Sequence, residues 1–222
     1  MSLKNTQHRI SDSNAGLYVQ YGCGICAPSA WENYDISPTL RLQKIPWIGR
    51  LLSRGRVEFP PNVQYGDIVA GLPIPEHSCR VVYCSHVLEH LALDDFRAAL
   101  RNTVKYLKPG GCFRFALPDL EQLAQRYLGA DVEQPSMLFM ESTILGAKQR
   151  PRGLKGVIYQ MLGNSRHLWM WDYKSIKVEL EAVGFIGVRR AFMGDGNDPM
   201  FTEVENSLLW GEKCFGVHCH LP

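Results

Sequence analysis

The 222-residue sequence predicts an α/β fold built on a doubly wound, mostly parallel sheet, and three observations carry that expectation. The run Val81-Val82-Tyr83-Cys84 is apolar, rich in β-branched and aromatic residues and bounded by polar ones, as in a strand buried on both faces. Phe96, Leu100, Val104 and Leu107 then recur at three- and four-residue spacing opposite Asp94, Asp95, Arg97, Arg101 and Lys105, the pattern of an amphipathic helix. Lys108-Pro109-Gly110-Gly111 stops that helix, and a second apolar run, Cys112 to Leu117, follows at once, completing a strand-helix-strand crossover.

Taken in order, Asn14–Tyr21 is the first strand and runs directly into Gly22-Cys23-Gly24, where the lack of a β-carbon lets the backbone approach a ligand. Trp31–Ser37 is the second strand. Only about ten residues separate the two, fewer than a parallel crossover usually needs, so the first helix is very short or replaced by a loop. Thr39–Leu52 has a helical pattern interrupted by Pro46 and flanked by Arg41, Lys44, Arg50, Arg54 and Arg56. These charges read as a solvated face, or with Trp47 as a surface for an acidic substrate. Asn62–Ile68 forms the third strand and its exit loop, and the strand at Val81 is the fourth. After Asp119 come a helix over Leu120–Leu128 and a long stretch, 129–168, read as a partly helical cap within a single domain spanning 1–222. Its methionines and its basic residues Lys148, Arg150, Arg152, Lys155 and Arg166 suit packing or an adaptable substrate surface. A helix with Ile176, Leu180 and Val183 ends at Gly184, and Phe185–Phe192 and Ser207–Phe215 are the last two strands.

Ligands of open α/β sheets bind beyond the carboxyl ends of the strands. After the fourth strand that end reads Ser85-His86-Val87-Leu88-Glu89-His90, a polar cluster that packing explains poorly, although Glu89 and His90 would also suit the start of a helix. With the LKPGG turn and a strand ending in Pro118-Asp119, the run from Tyr83 to Leu91 resembles the fourth and fifth strands of class I S-adenosylmethionine-dependent methyltransferases. The short glycine loop is similar to that of the methyltransferase type 11-like branch. The resemblance implies a Rossmann-like sheet with an antiparallel carboxyl-terminal strand pair and S-adenosyl-L-methionine as cofactor. It implies that Tyr21, Gly22, Cys23 and Gly24 pass under the ribose and carboxypropyl end, and that Asp35, with Ile36, accepts hydrogen bonds from the ribose hydroxyls. Gly66, Asp67 and Ile68 would read the adenine, while Ser85 and His86 line the pocket. Cys26 stands where a third glycine often falls, a departure from the longer signature. Candidates for a general base are His86, His90, Asp119 and His167, the last at the end of the cap.

Net charge is +2 and pI about 8.1, which offers nothing for a strongly basic nucleic-acid binder. The amino-methylating signature Asp/Asn-Pro-Pro-aromatic is absent after the fourth strand, which disfavours base amines of nucleic acid and leaves a small-molecule or saccharide acceptor, methylated on oxygen or nitrogen. No apolar run reaches membrane-spanning length and the amino terminus is polar, so a cytoplasmic protein is expected. Seven cysteines, several inside strands, fit small hydrophobes in a reducing compartment. Cys23-Gly24-Ile25-Cys26 lacks a second Cys-x-x-Cys for zinc and lies in the glycine loop rather than ahead of a redox-type helix. Cys214, His218, Cys219 and His220 are metal-ligand types, but their terminal position argues against a native metal site. Two further readings are a catalytically inert S-adenosylmethionine-binding or regulatory protein of the same fold and a nucleotide-dependent oxidoreductase; the Gly-x-Gly-x-x-Gly of the latter is missing.

Overall fold

The computed structural model describes residues 16–47, 49, 57–147 and 166–222. One seven-stranded sheet runs in the order β3-β2-β1-β4-β5-β7-β6, parallel except for β7, which is antiparallel to both its neighbours. The strands are β1 (Leu17–Tyr21), β2 (Glu32–Asp35), β3 (Val63–Tyr65), β4 (Cys79–Ser85), β5 (Leu107–Pro118), β6 (Ile186–Ala191) and β7 (Cys214–His220). The helices are α1 (Pro38–Gln43), α2 (Leu93–Tyr106), α3 (Leu120–Leu128), α4 (Pro135–Ser142) and α5 (Tyr173–Ala182). A 3₁₀ turn over Leu88–His90 follows β4 and another over Pro199–Glu203 lies between β6 and β7.

Alternation along the strands divides the core into two layers. Val82, Cys84, Phe113, Phe115 and Leu117 pack under Phe96 and Leu100 of α2 and Ile176 and Leu180 of α5. Val81, Tyr83 and Cys112 face the other way, against Trp31, Phe201 and Val204. Each large apolar side chain buried this fully is worth about 1.5–3 kcal/mol. The second layer also contains Arg114, fully buried on central β5. Its guanidinium donates to Glu205 at 2.5 Å, Asp195 at 2.8 Å and the Phe192 carbonyl at 2.8 Å, and lies over the rings of Trp210 and Phe201. A buried cation must be paired, and this one fastens the long β6–β7 connection to the sheet.

The expected loop in place of a helix between β1 and β2 is present. Three expectations need correction. α1 stops at Gln43, with Lys44 as its C-cap, well before Leu52; Arg50, Arg54 and Arg56 lie outside the described residues. α2 ends without a separate loop, because Leu107 already pairs with Cys79 and the strand starts there, with a register shift before Cys112. The last strand is Cys214–His220 rather than Ser207–Phe215. Asn206 accepts hydrogen bonds from the backbone of both Leu208 and Leu209, which curls that apolar stretch into a turn. Phe215, Val217 and Cys219 instead supply the core-facing alternation, so the tail is an interior strand of the sheet. Of the cap, α4 is described and packs on α3 through Tyr127 and Phe139, while Lys148, Arg150, Arg152 and Lys155 lie outside the described residues.

Candidate active site

The carboxyl ends of β3, β2, β1 and β4 are adjacent in the sheet, and short contacts tie them together. Asp35, at the end of β2, accepts from Gly24 N at 2.9 Å through Oδ2 and from Ser37 N at 2.8 Å through Oδ1. Gly66 N donates to the Asp35 carbonyl at 3.1 Å, bringing the end of β3 alongside. Gly22 has φ +65, and a β-carbon there would lie 2.2 Å from Cγ2 of Val87, so only glycine lets the β1 loop press against the segment after β4. Gly24 has φ +54 and faces open space. Asp67 accepts from Val69 N at 2.8 Å, forming the turn that leaves β3. Tyr21 and Ile68 are core residues, so only their backbones border this edge; Ile36 is exposed and Cys23 is buried with Leu40 and Val63. The Ser85 hydroxyl is buried without a hydrogen-bond partner at the end of β4.

His86 has φ +54, an uncommon conformation for a side-chain-bearing residue, and its backbone N–H bonds the Ala116 carbonyl at 3.0 Å. Its ring Nε2 lies 2.9 Å from the Leu209 carbonyl and 3.5 Å from Cys214 Sγ, and its Nδ1 3.2 Å from Glu89 Oε1. Burial opposes a charge on this ring, but the Cys214 sulfur, the Glu89 carboxylate and the Leu209 carbonyl outweigh it and push the pKa up to about 10. The Glu89 carboxylate beside Nδ1 and the Leu209 carbonyl beside Nε2 both favour the protonated ring, which makes His86 a poor proton acceptor.

Glu89 is fully buried, and neither carboxylate oxygen has a hydrogen bond of good geometry. Besides His86 it faces His167, whose Nε2 is 3.9 Å from Glu89 Oε1. Leu168 N and Trp169 N both donate to the Glu89 carbonyl, at 2.8 and 3.1 Å, which brings the end of the cap stretch back onto the 3₁₀ turn. His167 is 7 % exposed; burial and the neighbouring His90 lower its pKa, against the pull of Glu89, so it is neutral at physiological pH. His90 stacks edge-on to it at 4.9 Å, with Nδ1 2.9 Å from the Arg166 carbonyl. A carbonyl only accepts, so Nδ1 carries the proton and Nε2 a lone pair. Glu89, His90 and His167 offer ligand atoms within 4.8 Å of one another, donor types that also suit a divalent cation.

Asp119 stands apart. It caps α3, accepting from Gln122 N at 3.3 Å, and pairs with Arg190 at 3.4 Å. Beside His86, Cys214 opens onto a hollow of about 100 Å³ lined by Arg190, Phe192, Met193, Trp210 and Phe215. Sequence reasoning placed Glu89 in the polar cluster after the fourth strand, with a helix start as the alternative, and did not name it among the candidate site residues.

A methyltransferase domain is the family whose profile matches this chain, over residues 19–189. No curated protein matches the sequence. Among solved structures, a SAM-dependent methyltransferase of Thermotoga maritima is 14% identical, with 93% of this chain and 83% of that one covered and a TM-score of 0.50. A protein of Pyrococcus horikoshii OT3 is 11% identical over 96% and 84%, also with a TM-score of 0.50. These likenesses bear on the fold alone. The buried unpartnered Ser85 hydroxyl, the open face of Gly24 and the acid at the end of β2 fit an adenosine-bearing cofactor, and with most of its length matched the chain belongs to the methyltransferase domain family, whose methyl donor is S-adenosylmethionine.

Proposed function

We propose that this enzyme methylates a hydroxyl or amino group of a small-molecule or saccharide acceptor, in the cytoplasm, with the acceptor seated beside His86. The observation that carries the reading is the aromatic lining of the small hollow against Cys214, about 100 Å³ with flat Trp210, Phe192 and Phe215 in its wall. Aromatic faces suit a sugar or another compact ring better than a duplex. Seven free cysteines support a reducing compartment, and among the described residues no helix is long and apolar enough to cross a membrane.

When bound, S-adenosylmethionine supplies a methyl group already made electrophilic by its sulfonium, which leaves the protein to align the acceptor and exclude water. Asp35 keeps one lone pair on each oxygen after its bonds to Gly24 and Ser37, enough for two ribose hydroxyls. Asp67, with the Gly66 and Ile68 backbone, is the partner for the adenine, and the Gly22–Gly24 backbone with Ser85 lies against the rest. His86 fixes positive charge and backbone shape at the end of β4. His90 Nε2 takes the proton of an attacking hydroxyl, with neutral His167 and the Glu89 carboxylate beside it to stabilise the charge that results. Residues 129–168 act as a cap within the single domain; the exposed Met137, Leu138 and Met140 of α4 support a surface that closes over a ligand.

Calorimetry with S-adenosylmethionine and its demethylated product, followed by a methyl-transfer screen over hydroxyl- and amine-bearing saccharides and small metabolites, tests the reading. Cofactor binding with transfer to a compact acceptor supports it. Transfer only to nucleic acid or protein would overturn the acceptor class, and silence with both cofactor forms would overturn the site.

A further inference from the structure

At the opposite end of the strands from His86 lies a cluster that methyl transfer does not use. Val81 pairs with Cys112 and Ser85 with Ala116, so the two places are separated along β5 by four residues, roughly 13 Å at strand rise. Side chains two apart on a strand share a face, so His218 and His220 of β7 point the same way. Cys112 is the direct cross-strand partner of His220, and its side chain is in the layer that also contains Phe201. The register of β5 on β7 therefore brings a thiol and two imidazoles together from a segment whose terminal position had argued against any ordered site.

We infer that Cys112, His218 and His220 form a zinc-binding site with one coordination position left for water or an exogenous ligand. His218 Nε2 is the common vertex: it lies 3.7 Å from Cys112 Sγ and 3.0 Å from His220 Nε2. A tetrahedral zinc with bonds of about 2.3 Å to sulfur and about 2.05 Å to nitrogen requires ligand separations of ~3.6 Å for S···N and ~3.3 Å for N···N. The two separations at His218 Nε2 are within a few tenths of an ångström of these values, and the ligand atoms of all three side chains lie within 4.8 Å of one another. Cys112 and His218 are less than a tenth exposed while His220 is half-buried at the strand end, which leaves an entry path. The nearest charges compensate each other: Arg114 pairs with Glu205 and Asp195, and Arg189 with Asp195, so the ion enters a locally balanced field. Phe201 closes one side, its ring edge-on to His218 at 6.3 Å. Binding converts the Cys112 thiol to thiolate and releases its proton to solvent. A site of this kind clamps β7 to β5 and stabilises the sheet edge-to-edge.

The test uses the full chain, stripped with a chelator and titrated with zinc by calorimetry and with cobalt by absorption. The expected result is a zinc equivalent that raises the melting temperature, and a near-ultraviolet sulfur-to-cobalt band. Outer partners of metal ligands already cost 10–100-fold in affinity, so His220→Gln, at the half-buried end of the strand, should weaken zinc at least ~100-fold, and Cys112→Ser should abolish the band. His90→Gln should leave both signals intact. Absence of stoichiometric zinc and of the sulfur band would overturn the assignment. So would binding that survives His220→Gln but is lost in His90→Gln, which would move the metal to the Glu89 cluster.

Discussion

Replacing Glu89 with glutamine keeps the shape of the buried side chain and removes the carboxylate 3.2 Å from His86 Nδ1. In the folded protein the His86 pKa is raised to about 10 from 6.5. At 1.36 kcal/mol per unit this corresponds to roughly 5 kcal/mol of preferential interaction with the charged ring. Burial opposes that charge, and the Cys214 sulfur, the Glu89 carboxylate and the Leu209 carbonyl together outweigh it. Because the folded value is raised, the native state retains a proton that the unfolded chain has lost between pH 6.5 and about 10. The stabilisation is therefore complete below pH 6.5 and declines as pH rises toward 10, by up to ~1.4 kcal/mol per pH unit. In Glu89→Gln the His86 titration should move down toward 6.5, and the decline in stability should end at correspondingly lower pH. Urea unfolding from pH 6 to 10 together with an NMR titration of the His86 ring reads both. A wild-type His86 that titrates near 6.5, or a variant with an unchanged pH slope, would refute the idea that this pair holds a cation.

Asp35→Ala should weaken S-adenosylmethionine by about 1.5–3 kcal/mol, the range for hydrogen bonds to a charged group, as read by calorimetry on a folded variant; unchanged affinity would remove Asp35 from the site. His90→Gln should lower kcat for a hydroxyl acceptor by roughly 10²–10⁴ while leaving cofactor affinity nearly unchanged, whereas loss of cofactor binding with kcat intact would assign His90 to the pocket wall. Arg114→Met leaves Glu205, whose side chain is 2% exposed, buried without its partner, and should cost about 3–5 kcal/mol in urea unfolding. Adding Glu205→Leu to Arg114→Met should recover much of that loss, and no recovery would mean that packing rather than charge pairing holds the β6–β7 connection.

The strands and helices that carry the site were readable from local pattern. Val81–Cys84 and Cys112–Leu117 are continuous apolar runs, α2 has its stripe, and the acids at Asp35 and Asp67 sit just after strand-like segments. The tail was misread because alternation over Phe215, Val217 and Cys219 is a weak signal beside the denser Leu208-Leu209-Trp210, and only pairing with β5 shows which of them is strand. Glu89 was underweighted for a related reason. Its burial comes from Leu168 and Trp169, which donate to its carbonyl from some eighty residues downstream. No local window contains that fact.

Residue type and spacing were enough for the layered architecture, the absence of a helix between β1 and β2, and the order in which polar groups leave the strands, because these follow from backbone preference and side-chain alternation over a few residues. The surroundings of His86 and His167, the pairing of Asp119 with Arg190 and the meeting of Cys112 with two histidines come from folding. Each depends on which partners come within about 4 Å through space, a distance at which interaction energies in a protein reach several kcal/mol, and some of those partners are far along the chain: Arg190 is 71 residues from Asp119 and Cys214 128 from His86.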